Sequence, residues 1–181
     1  MAIDPRSPEF PAEAARLLRI ADSIDISTVV SRYAREQKVT LPRARAIAGE
    51  TKRFLVLCAM NAEPYAVGGE VDAFWHTFVL FTMRYANFCQ AVAGHFIHHV
   101  PGDDLPADAA KAGAQYAATL RDYQLAFGQA PDPGIWPASS SGREDSDAAS
   151  CVNRECIPAV GAKAGCINRE CIPVAGGPAT S

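Results

Sequence analysis

Between Val71 and Ala93 the run VDAFWHTFVLFTMRYANFCQAVA sets Phe74, Phe78, Phe81, Tyr85 and Phe88 at intervals of four, three, four and three. At about 100° per residue these rings form one narrow helical stripe. Asp72, His76, Val79, Met83, Ala86 and Gln90 form a second stripe about 200° around from the first. A helix apolar on two sides needs neighbours over most of its circumference. The pattern therefore predicts one continuous central helix over 71–93, its aromatic stripe serving as packing.

The flanking segments supply those neighbours. Pro11 opens the helical stretch PAEAARLLRIADSID, with proline in the first turn as helices prefer. Ile26 to Gln37, with Val29, Val30 and Tyr33 at helical spacing, predicts a second helix. Thr40-Leu41-Pro42 resembles a further helix start, running to about Asn61. EPYAVGGE reads as a loop, and HFIHHVPGDD as a short turn or helical fragment. Leu105-Pro106 opens the last helix, which Gly128 stops, and Trp136 in PDPGIWP is expected to pack back on the core. No alternating strand pattern stands out. The expected fold is all-α, a compact helical domain of about five helices at 11–137. It lies between a disordered N-terminus at 1–10 and a polar linker at 138–150, followed by a disordered C-terminal tail at 151–181.

Composition narrows the function classes. A net charge of −3 over 181 residues leaves no basic footprint for nucleic acid. No run approaches the roughly 18 apolar residues of a membrane span. The opening MAIDPRSPEF is polar and proline-broken, so no secretory leader is expected. The expected location is cytoplasmic, where the six cysteines stay mostly reduced. No serine-nucleophile motif, phosphate loop or dinucleotide fingerprint is present, so a conventional enzyme is not expected.

All four histidines, at 76, 95, 98 and 99, fall within 24 residues. Imidazole is the commonest side-chain ligand for transition metals, so His76, His95, His98 and His99 are candidate ligands for copper, iron or zinc. On a helix, His95 would share a face with His98 or His99. Asp72, one turn before His76, is placed to orient a bound imidazole from behind. The plainer alternative makes His76 a buried histidine hydrogen-bonded to Asp72, with the others capping a helix end.

The runs KRFLVLCA, VDAFWHTFVLFTMRYANFC and GHFIHHVP, and later YAATLRDYQLAFGQAPDPGIWP, resemble the glycine-rich domain-containing protein-like family over about residues 45–137. The resemblance implies an all-helical domain, loosely defined signalling or stress roles and no established catalytic activity. Phe78 stands where many relatives carry a second histidine, and the tail holds cysteines in place of a glycine-rich stretch.

That tail is CVNRECIPAVGAKAGCINRECIPVAGG, one eight-residue phrase written twice. Cys151 and Cys156 are spaced as Cys166 and Cys171, and four thiolates suit a tetrahedral zinc site. Metal ligation does not require what lies between the sulfurs. Asn153, Arg154 and Glu155 nevertheless return as Asn168, Arg169 and Glu170, which points to a partner that recognises the whole phrase. A folded domain, a polar linker and duplicated cysteine phrases together resemble the layout of a precursor of a ribosomally made, modified peptide.

Three functions follow as expectations. In the first the chain is a precursor or scaffold modified at the tail cysteines by an enzyme or partner protein, with the helical domain as the recognition part. A metal at the histidines acting on the chain's own tail is its sharper form. The second is a metal-binding or metal-buffering protein using the tail cysteines and the domain histidines. The third is a non-enzymatic interaction module.

Overall fold

The computed structural model describes residues 2–61, 63–101, 106–137 and 151–155. Among them run helices α1 (Phe10–Ser23), α2 (Ser27–Glu36), α3 (Leu41–Met60), α4 (Gly69–Val79), α5 (Thr82–Val92) and α6 (Pro106–Phe127). Three short strands accompany them, β1 (Ala66–Val67), β2 (Ile97–Pro101) and β3 (Cys151–Glu155). The all-α expectation holds for the body of the domain. None of the described helices is long and apolar enough to cross a membrane.

The central element is α3. Thr40, in extended backbone, accepts a hydrogen bond from Arg43 N, and Pro42 occupies the first turn. From Phe54 to Cys58 every residue is buried, because α1, α2, α4 and α6 all lie against this helix. Glu50 is buried on it as well. Its carboxylate accepts from Tyr123 Oη at 2.8 Å and Trp136 Nε1 at 2.9 Å, and pairs with Arg53 at 2.7 Å. Trp136 thus packs back as its sequence suggests, and ties the segment after α6 to the core.

The continuous helix expected over 71–93 is broken in two. Phe81, at φ −86° and ψ 58°, leaves the helical region between α4 and α5. The gain lies in aromatic packing. Ten residues along one helix span about 15 Å, yet the rings of Phe78 and Phe88 lie 5.3 Å apart. Trp75 Nε1 likewise donates to Tyr85 Oη at 2.8 Å, across the same separation in sequence. Folding back at Phe81 buries the aromatic stripe against itself, which outweighs the few helical hydrogen bonds lost. Leu80 and Met83 are left exposed at the corner.

The segment GHFIHHVP departs further from expectation, since Ile97–Pro101 is a strand and not a turn or helical fragment. Tyr85 Oη donates to Ile97 O at 2.6 Å and pins it over the α4–α5 corner. The three strands form one antiparallel sheet in the order β1-β3-β2. Its central strand is supplied by the first copy of the repeated phrase. Opposite one another stand Val67 and Cys151, Pro101 and Cys151, His99 and Asn153, His98 and Arg154, and Ile97 and Glu155.

Candidate metal centre

The strand conformation of β2 decides which histidines can meet. Alternate residues of a strand face opposite sides, so His99 shares the inward side with buried Ile97 while His98 faces the other way. The helical pairings of His95 with His98 or His99 therefore do not arise. His99 is directed at the outer turns of α4, where Asp72 and His76 stand one turn apart. Its Nε2 lies 3.0 Å from Asp72 Oδ1, and its ring lies 4.1 Å from that of His76 and 4.2 Å from Trp75.

His76 turns back on its own helix, with Nδ1 at 2.9 Å from Asp72 O and 3.5 Å from Asp72 Oδ2. Its side chain is 53% exposed, whereas those of Asp72 and His99 are 11% and 8% exposed. The buried histidine of the cluster is therefore His99, not His76. One wall of the site is sealed by Trp75, and the other opens to solvent at His76.

Asp72, His76 and His99 together offer three donor atoms within 4.8 Å of one another. Two imidazoles and a carboxylate can hold zinc or non-haem iron, leaving positions for water or substrate. Asp72 belongs to the donor group itself and not only behind it. Nδ1 of His76 donates to the Asp72 carbonyl, so in the neutral ring Nε2 is the nitrogen that carries the lone pair a metal requires. The carboxylate accepts the Nε2 proton of His99, so an ion entering there displaces a proton.

His98 lies apart from the cluster. The His98 ring packs on Phe96 at 4.8 Å. Burial holds its pKa below the usual imidazole range, with the charge of nearby His95 acting in the same direction. Cys58 and Cys89 are buried free thiols. Burial raises both, Cys89 to about 11.

The tail candidates lie partly within and partly outside the described residues. Cys151, Asn153, Arg154 and Glu155 lie on β3, and the pairing of Asn153 with His99 puts the first copy beside the metal candidate. Cys156, Cys166, Cys171, Asn168, Arg169 and Glu170 lie outside the described residues. Sequence reasoning found Asp72 and His76 from their one-turn spacing, but not the alignment of the tail with β2. A strand of five residues whose hydrophobic positions do not alternate with polar ones carries no periodic signal strong enough to assign.

No curated protein and no solved structure matches the chain. One family model does, described as UCP032817-like, over residues 24–126. The match takes in α2 through most of α6, and so all three donors of the candidate centre together with β1 and β2. By that match the chain belongs to the UCP032817-like family.

Proposed function

We propose that the chain is a precursor or scaffold protein whose duplicated C-x-N-R-E-C-I-P segments are modified at cysteine. The helical domain is the recognition part, and it takes hold of a segment by strand addition. The carrying observation is that the described residues of the tail, Cys151–Glu155, are the opening five of the phrase and lie in a ladder between β1 and β2. Strand addition is a general way for a folded domain to grip an extended peptide, with the backbone supplying affinity. The agent of modification is a partner enzyme or a metal ion at Asp72, His76 and His99. Pairing of His99 with Asn153 supports the second. A cytoplasmic location, where the thiols stay reduced until they are acted on, is part of the same reading. So is the likeness to the glycine-rich domain-containing protein-like family, as a proposed kinship of the domain.

The test is intact and fragment mass spectrometry of the chain isolated from its native host, with metal analysis of the same sample. A mass shift confined to the fragment after Ser150 is expected. Unmodified thiols with one equivalent of metal would replace this reading with metal holding, which the three converging donors favour as the second choice. Truncation after Ser150 then separates the two sites. Metal that survives it sits at the Asp72 cluster, and metal lost with the tail was held by the cysteines.

A further inference from the structure

The central strand is written in the sequence twice. Cys151–Glu155 reads CVNRE and 166–170 reads CINRE, so Val152 against Ile167 is the single difference. A strand gripped on both edges is recognised through its N–H and C=O groups, which the two copies present alike. Valine and isoleucine are both β-branched and suit a strand equally. Between β1 and β2 there is room for one strand, because β3 pairs with both.

The path of the chain allows either copy to arrive. Pro137 lies against Gly69, where a Cβ would stand 3.0 Å from its Cδ, and Gly69 holds φ +62° to admit this approach. Two residues earlier, Val67 stands opposite Cys151. The chain therefore leaves the core close to where the central strand begins. Residues 138–150 connect that exit to the first copy, and residues 138–165 connect it to the second. Loop closure depends weakly on length, so the longer connection lowers occupancy only about threefold.

We propose that Cys166–Glu170 exchanges with Cys151–Glu155 in the single place between β1 and β2, presenting each copy in turn beside Asp72, His76 and His99. In the shared register Cys166 stands opposite Val67 and Asn168 opposite His99. The exchange deepens the precursor reading, which supplies its purpose, but it is a statement about strand pairing and is tested as one.

The experiment introduces a thiol at the end of β1 by Val67→Cys and oxidises the full chain with oxidised glutathione. Opposed residues of an antiparallel pair have Cα atoms about 4.5–5.5 Å apart, within disulfide range. Peptide mapping is expected to find the new thiol joined within one chain to Cys151 and, about threefold less, to Cys166. Adding Val152→Pro removes a strand N–H from the first copy and is expected to move the link to Cys166. Adding Ile167→Pro should confine it to Cys151. A link to Cys151 that never moves to Cys166, or a link to Cys166 found only in dimers, overturns the exchange and leaves the precursor reading standing. No link to either copy overturns both. Hydrogen exchange on the unsubstituted chain gives a readout free of any folding defect. Protection shared between 151–155 and 166–170 is expected, and protection of 151–155 alone overturns the exchange.

Discussion

Nε2 of His99 lies 3.0 Å from Oδ1 of Asp72, joining strand β2 to helix α4 beside the exposed ring of His76. Even partners that only orient a metal ligand change affinity by about 10–100-fold. Loss of a ligand is expected to cost more than that. His99→Ala or His76→Ala should weaken binding of zinc or ferrous iron by more than about 100-fold. Asp72→Asn keeps the shape but loses the charge, and should fall between these and the unsubstituted chain. His98→Ala should stay within about threefold, because His98 faces Phe96 and not the cluster. Titration calorimetry with each metal checks the series, and a His98 effect as large as that of His99 would rule out this ligand set.

The partnership of β3 with β1 and β2 gives a second expectation. Truncation after Ser150 removes the strand between them, leaving their backbone N–H groups without ladder partners. Amides within 97–100 and 66–67 should then exchange at least about tenfold faster, while those in the second half of α3 stay slow. Unchanged exchange in β2 would mean that the tail strand is not its partner in solution.

How far the fold was legible depended on the length of each signal. α2, α3 and α6 were apparent from helical spacing, from Thr40-Leu41-Pro42 and from the Gly128 stop, since each helix keeps its pattern over at least two full turns. The break at Phe81 was not legible. An unbroken 3.5-residue aromatic spacing reads as one helix, and only the meeting of Trp75 with Tyr85 and Phe78 with Phe88 reveals the reversal. For the site, Asp72 and His76 were legible as a local pair, because a helix alone fixes that geometry. The third member, His99, required knowing that Ile97–Pro101 is extended, and that conformation is supported by Tyr85 and by the tail, both distant in sequence.

Glu50 gives a stability expectation. Its carboxylate satisfies the buried Tyr123 hydroxyl and Trp136 indole N–H, and Glu50→Ala leaves both without an acceptor. An unsatisfied buried donor costs roughly 1–3 kcal/mol, so a loss of about 2–5 kcal/mol is expected in urea unfolding. Glu50→Gln keeps one acceptor oxygen and should lose about half as much. Equal losses for the two would show that packing volume, not hydrogen bonding, is what Glu50 contributes.

Cys89 makes stability depend on alkaline pH in a predictable direction. Burial raises its thiol from 9.0 to about 11, a change that neighbouring backbone and Tyr85 hydrogen bonds only partly offset. A group whose pKa is raised on folding contributes its full stabilisation below the unfolded value, and loses it as pH climbs through the folded one. The unfolded thiol ionises first, so the folded state is favoured less with each step from about pH 9 to 11. Two pH units correspond to roughly 2–3 kcal/mol. Tyr33, raised to about 12 mainly by burial, extends the decline above pH 10. Urea unfolding at pH 8, 9 and 10 should show the decline beginning near 9 in the unsubstituted chain, and running about half as steep in Cys89→Ala, where the buried Cys58 thiol, also raised, still carries its share. At pH 8 the same shift leaves a thiolate fraction of about one in a thousand at Cys89, so iodoacetamide should label tail cysteines long before it labels this one. Labelling of Cys89 at the rate of an exposed thiol would place it outside the core and remove the alkaline effect with it.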